Sequence, residues 1–192
     1  VVFPNGYSQF KSGKFATWNA GKGFTPIGDF ATDLPFSGIF NGLGHKITGL
    51  TINRPTTDYV GLFGYTLGAD IRNVKLANVS VQGQDFVGGL AGYIDNVVDR
   101  SQVTGIVSGR DNVGGLVGQS DGAISNSLSS ATVSGANFVG GLVGYNLFGT
   151  ISASLSNGSV IGSGDSVGGL VGQNESSVVD SLSSASVSGR PR

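Results

Sequence analysis

One place in the chain brings two carboxylates into register. Asp95 and Asp121 occupy equivalent positions in successive copies of a repeated segment. Paired carboxylates are what glycoside hydrolysis needs. The next equivalent position is Leu147, and no Lys or Arg cluster lies in register to hold an anionic substrate. The sequence therefore favours two loop aspartates facing water. A second column, Asp58, Asp85, Asp111, Asn137 and Asp165, places one Asx residue in each copy. Calcium wants about six to eight oxygens, several of them from converging carboxylates, so one column falls short. An Asx side chain capping its own turn accounts for it. His45, the only histidine, sits in a glycine-rich turn without a Ser nucleophile or metal partner beside it. The sequence predicts no catalytic centre, no metal site and no cofactor.

Two other columns suit recognition better. Tyr65, Tyr93 and Tyr145 alternate with Gln119 and Gln173, and Leu128, Leu155 and Leu182 form a stripe expected to face outward. Aromatic or apolar columns on a rigid face can bind sugars, peptides or a neighbouring chain. In the competing reading the tyrosine rings cover glycine corners, and the leucines face inward or pack under a flanking segment. Asn78-Val79-Ser80, Asn157-Gly158-Ser159 and Asn174-Glu175-Ser176 are formal glycosylation sequons. Ser and Asn are common enough here for chance matches.

What positions these columns is a repeat. Gly61 and Gly64, Gly89 and Gly92, Gly115 and Gly118, Gly141 and Gly144, and Gly169 and Gly172 bracket a Gly-Leu-x-Gly unit that recurs every 26 to 28 residues. Such a period marks a solenoid, in which each unit buries its apolar face only against its neighbours. Val60, Val87, Val113, Val139 and Val167 form one apolar column, and Ile71, Val98, Ile124, Ile151 and Val178 a second. In the serine-rich third segment, Ser127, Ser129, Ala131 and Val133 share one face because alternate strand residues point to opposite sides. Their counterparts are small or β-branched, as a narrow stacked interior requires. The pattern predicts an all-β parallel β-helix of about seven coils with three short strands each, the glycines making corners.

Residues 1–57 carry the repeat only irregularly and read as an N-terminal cap, rich in Phe3, Tyr7, Phe10, Phe15 and Trp18, followed by the first coils. Residues 58–192 are the regular coils of the same β-helix. The 34 glycines are too regularly placed among apolar residues to mark disorder. Eleven basic against twelve acidic residues give no basic footprint for nucleic acid. No apolar run reaches the roughly 20 residues that span a bilayer. The absence of cysteine suits an exported bacterial protein, and the chain reads as a monomeric fragment of something longer.

The paired glycines, the run from Asn126 to Gly135 and the opening Pro26-Ile27-Gly28-Asp29 to His45-Lys46-Ile47 resemble the GLUG-motif repeat. The resemblance covers about residues 24–189. Such arrays are similar to those of filamentous-haemagglutinin-like exoproteins of two-partner secretion systems. They are also similar to the non-catalytic repeats of surface IgA-specific metallopeptidases, whose His-Glu-x-x-His motif is missing here. The resemblance implies a right-handed β-helix in an extracellular or cell-surface bacterial adhesin, with a host-cell or bacterial receptor or a glycan as partner. The alternatives are a passive stalk of a surface enzyme and a carbohydrate-active β-helix. The latter would need a non-repeating acidic and basic cluster, which the sequence lacks. Ice binding would need flat threonine arrays, but Thr132 has Ile106, Ser159 and Ser186 as column mates.

Overall fold

A computed structural model describes residues 18–189 of the chain. Phe3, Tyr7, Phe10 and Phe15 of the expected cap lie outside those residues, as does the Trp18 side chain. The described residues form a parallel β-solenoid with no α-helix, and its longest regular stack has six strands. The coils that begin at Asp85 and Asp111 carry four strand segments each, not three, and the two after them carry five because their serine strand is split. In the second regular coil these are Asp85–Gly88, Ala91–Ile94, Val97–Asp99 and Gln102–Ser108. The extra strand arises because the Gly-Leu-x-Gly unit bends in its middle, leaving one strand on each side. Stacked coils thus make four sheets, here called the Asx, tyrosine, short and serine sheets after their most regular columns.

Pairing between the stacked strands is parallel and in register, apart from a shift between Val103 and Gly105, so the inward apolar columns stand on their own kind. Val87, Val113, Val139 and Val167 align on the Asx sheet, and Val98, Ile124, Ile151 and Val178 on the short sheet. Leu90, Leu116 and Leu142 lie between them and are wholly inaccessible to solvent. Each such side chain contributes on the order of 1.5–3 kcal/mol by leaving water. At the N-terminal end Ile27 and Phe36 pair with Phe63 and Thr66 as isolated bridges. Phe36 and Phe40 pack on Phe63 with ring centroids 5.0 and 5.3 Å apart. The irregular segment before residue 58 therefore closes the first coil with bulk where the regular coils use valine.

The glycines of the repeat act by closeness, not by special dihedrals. None of those bracketing Leu62, Leu90, Leu116, Leu142 or Leu170 has a left-handed backbone. A Cβ on Gly118 would lie 2.6 Å from the Gly92 carbonyl oxygen and 2.6 Å from the Val87 nitrogen. Hydrogen is the only substituent that fits between the stacked backbones. The left-handed positions belong to other residues: Tyr59, Phe86, Asn112, Phe138 and Ser166 at one turn, and Asn73, Arg100, Asn126, Ala153 and Asp180 at another.

An aromatic and carboxylate ridge as the candidate functional site

Two hydrogen-bond ladders fix the coil heights before any site is built. The Asx side chains do not cap their own turns. Asp58 Oδ1 accepts the backbone N–H of Asp85 at 3.2 Å, Asp85 that of Asp111 at 3.2 Å, Asp111 that of Asn137 at 3.2 Å, and Asn137 that of Asp165 at 2.9 Å. One Asx per coil is thus a rung to the next coil, which a period of one coil requires and a calcium ladder does not. Arg110 closes on the Asp85 carboxylate through Nε and its second guanidinium nitrogen, and its Nε also lies 3.3 Å from Asp111. Inside the serine sheet a second ladder runs the other way. Ser127, Ser154 and Ser181 accept from the backbone N–H groups of Ser101, Ser127 and Ser154 at 3.1–3.2 Å.

The tyrosine column lies on the outer side of the tyrosine sheet, with Tyr65 paired to Tyr93, Gln119 between Tyr93 and Tyr145, and Gln173 after Tyr145. Beside it stands a column that the sequence reading left out: Tyr59, Phe86, Asn112, Phe138 and Ser166. In each coil this residue follows the Asx, and the strand register skips it between the aligned Asx and Val. Its left-handed conformation turns the side chain out beside the tyrosine column. The rungs match across the ridge: Tyr59 with Tyr65, Phe86 with Tyr93, Asn112 with Gln119, Phe138 with Tyr145, and Ser166 with Gln173. Aromatic residues share a rung with aromatic ones and polar residues with polar ones, in direct contact at Tyr59 and Tyr65, Phe138 and Tyr145, and Ser166 and Gln173. That covariation was present in the sequence as a correlated change at two positions six or seven residues apart.

The first two aromatic rungs form a continuous stack. Tyr59 and Phe86 lie 4.5 Å apart with planes 3° from parallel, and Tyr65 and Tyr93 lie 5.0 Å apart at 24°. Phe30 covers the N-terminal end, 4.5 Å from Tyr59 and 5.0 Å from Tyr65. Phe138 and Tyr145 form a separate pair at 5.8 Å beyond the Asn112 and Gln119 rung. Carboxylates line the outer edge. Asp121 accepts from the Tyr93 hydroxyl at 3.0 Å and from Gln119 Nε2 at 3.1 Å, and Glu175 accepts from Gln173 at 2.8 Å. Partial burial, then the hydrogen bond to Asp121 and its charge, raises the Tyr93 hydroxyl well above the usual tyrosine value. Tyr65 is raised by burial and then by Asp95, Asp33 and Asp121.

Asp95 and Asp121 do not work as a pair. Both Asp95 oxygens accept the Gly68 N–H of the preceding coil, at 2.8 and 2.9 Å, whereas Asp121 is held by Tyr93 and Gln119. The expectation that they simply face water is replaced by these fixed partners. His45 is exposed in its turn, where its N–H meets the Gly42 carbonyl at 2.8 Å. Leu128, Leu155 and Leu182 stack in register on the outer face of the serine sheet, with Leu182 71% exposed. That stripe and the tyrosine ridge lie on different sheets and form no joint site. Elsewhere Asp99 is buried and accepts from Ser125 Oγ and Asn126 Nδ2 at 2.8 Å each. Burial alone would raise its carboxyl, but those hydrogen bonds together with Arg100 and Arg72 hold it below the usual value. No group of three or more metal-ligating side chains occurs among the described residues, and no helix there is long and apolar enough to cross a membrane.

No family model matches the chain. It is 41% identical over 96 residues to halomucin of Haloquadratum walsbyi, a match covering 47% of this chain and 1% of that protein. It is 41% identical over 88 residues to a protein of Evansella cellulosilytica provisionally named a Gly-rich membrane protein, covering 43% of this chain and 10% of the other. The chain thus spans a small part of either relative. A crystal structure from Bacteroides ovatus, provisionally named an immunoglobulin A1 protease, superposes with a TM-score of 0.69 over 78% of this chain and 52% of that one. At 24% identity the likeness is one of fold: both chains contain a β-solenoid.

Proposed function

We propose that the chain is a non-catalytic β-solenoid segment of a larger bacterial surface protein, of the GLUG-repeat type, that presents an adhesive face to cells, glycans or other bacteria. The observation that carries this reading is the ridge, where two columns change together between aromatic and polar through five rungs. A spacer needs only the buried columns and ladders, and leaves outward residues free to vary independently. The relatives' names, a mucin and a membrane protein, support a cell-surface location, and the neighbour's name supports a segment carried by a larger protein. The one candidate acid pair is committed to structural hydrogen bonds, which favours binding over hydrolysis.

The test is adhesion. Beads bearing the segment are scored on epithelial cells, bacterial cells and an immobilised glycan panel, beside beads bearing the Tyr65, Tyr93 and Tyr145 to Ala variant. Adhesion by the native segment that the variant loses supports the reading. Equal adhesion by both removes the ridge as the adhesive face, and no adhesion by either makes the segment a stalk.

A further inference from the structure

The ridge is interrupted at a regular place. Phe86 and Tyr93 are followed by the polar Asn112 and Gln119 rung, then by Phe138 and Tyr145, then by the polar Ser166 and Gln173 rung. The two aromatic rungs are therefore two strand spacings apart, about 9.6 Å. Up to Tyr93 the ring faces are taken by their neighbours in the stack. Beyond it the aromatic stack stops: Gln119 is the register neighbour of both Tyr93 and Tyr145, and Phe138 and Tyr145 stack only on each other, at 5.8 Å and 28°. The flanking glutamines are drawn to the edge carboxylates, Gln119 to Asp121 at 3.1 Å and Gln173 to Glu175 at 2.8 Å.

We propose that this stretch, from Phe86 to Glu175, binds an extended, uncharged β-linked glycan lying along the solenoid axis. Alternate sugar rings rest against the aromatic rungs, and the intervening sugar gives its hydroxyls to Asp121 and the Gln119 amide. The proposal rests on the adhesive reading above and names its ligand. Three observations select this occupant. The two-coil period is close to the length of one disaccharide unit in an extended β-linked chain. Apolar aromatic rungs alternating with a polar amide and carboxylate rung match the apolar patches and hydroxyl edges of sugars. The charges acting on Tyr65, Tyr93 and Tyr145 are all acidic, namely Asp33, Asp95, Asp121 and Glu175, so uronate, sialylated or sulfated chains are repelled. The basic side chain nearest the Asx edge, Arg110, is already paired with Asp85 and Asp111.

The experiment is calorimetric titration with soluble chitopentaose and cellopentaose as neutral probes, polygalacturonate as the anionic probe and pentalysine as the cationic one. The native segment should bind a neutral probe and ignore polygalacturonate. Phe138→Asn combined with Tyr145→Gln should weaken binding by about tenfold or more. That pair copies the chain's own Asn112 and Gln119 rung, so the fold has a precedent for it, and a native circular dichroism spectrum with a cooperative melt confirms folding. Asp121→Asn should weaken the neutral probe without creating affinity for pentalysine. Three results would overturn the proposal: no binding of either neutral probe, equal binding by the rung variant, or tighter binding of pentalysine than of the neutral sugars, which would make the ridge a site for cationic peptides. Adhesion of beads to cells alongside any of these leaves the adhesive reading standing and removes only the glycan.

Discussion

Two inward-facing serines two residues apart, one just before a strand and one within it, should respond to alanine with opposite signs. Ser127 and Ser129 are both buried, at 2% and 0% exposure. Ser127 Oγ accepts the Ser101 N–H at 3.2 Å and donates to the Ser125 carbonyl at 2.7 Å. Ser125 O keeps a second partner, the Arg100 N–H at 3.1 Å, so Ser127→Ala strands chiefly one buried N–H. Leaving such a donor unpaired costs about 1–3 kcal/mol, and we expect a loss of about 2 kcal/mol. Ser129 Oγ has no hydrogen-bond partner and is pressed against Gly115. Removing it relieves a desolvation penalty already incurred, so Ser129→Ala should be neutral or stabilising by up to about 1 kcal/mol. Urea unfolding followed by far-ultraviolet circular dichroism measures both, with the slope against urea required to stay constant. Because the two sites share a coil, whichever cooperative unit unfolds reports on both. Equal losses for the two variants would refute the ladder as the source of coil-to-coil stability.

Gly118→Ala forces a Cβ against two backbones and should cost about 3 kcal/mol or more, whereas Gly68→Ala, with φ 70° and nothing within 4 Å, should cost only about 1–2 kcal/mol; similar melting temperatures would contradict the close-approach account. Completing the aromatic ladder with Asn112→Phe and Gln119→Tyr together should stabilise the fold by about 0.5–1.5 kcal/mol for each new ring pair, read as a rise in urea midpoint, and a fall would show that the polar rung is structurally required. Asp99 has its folded carboxyl held down, so its contribution is present above the ordinary aspartate value near pH 4 and lost as pH falls below it. Asp99→Asn should accordingly flatten the acid limb of a stability profile, and an unchanged limb would count against that role. Tyr93 has its hydroxyl raised, so its stabilisation is present below about pH 10 and lost only as pH climbs towards the folded value. Alkaline titration of tyrosinate absorbance should show several late-ionising tyrosines, the last of which Asp121→Asn shifts earlier.

The period, the inward columns and the outward leucines were all legible in the sequence, because a solenoid repeats each environment and so writes its burial pattern several times over. Ser127 and Ser129 against Leu128 is such a case, where strict alternation alone assigns the faces. The glycines were legible as necessary but not in their reason. Spacing cannot distinguish a left-handed corner from a backbone pressed against the next coil, and only the stacked neighbours of Gly92 and Gly118 separate the two. The Asx column was assigned to its own turn for the same cause: the partner of Asp85, the Asp111 N–H, is 26 residues away. The fourth strand was hidden because a bend at Gly89 and Leu90 leaves no polar turn signal.

By itself the sequence determined what stacks on what, since identical environments every 26 to 28 residues demand identical side chains. It also held the paired changes of Phe86 with Tyr93 and Asn112 with Gln119, without showing that the two columns stand side by side. Tertiary structure alone decided the ridge. It did so through the left-handed residue after each Asx, which lifts one column out beside the other. That placement depends on backbone dihedrals and on the distance between two strands of one coil, neither of which a one-dimensional pattern records.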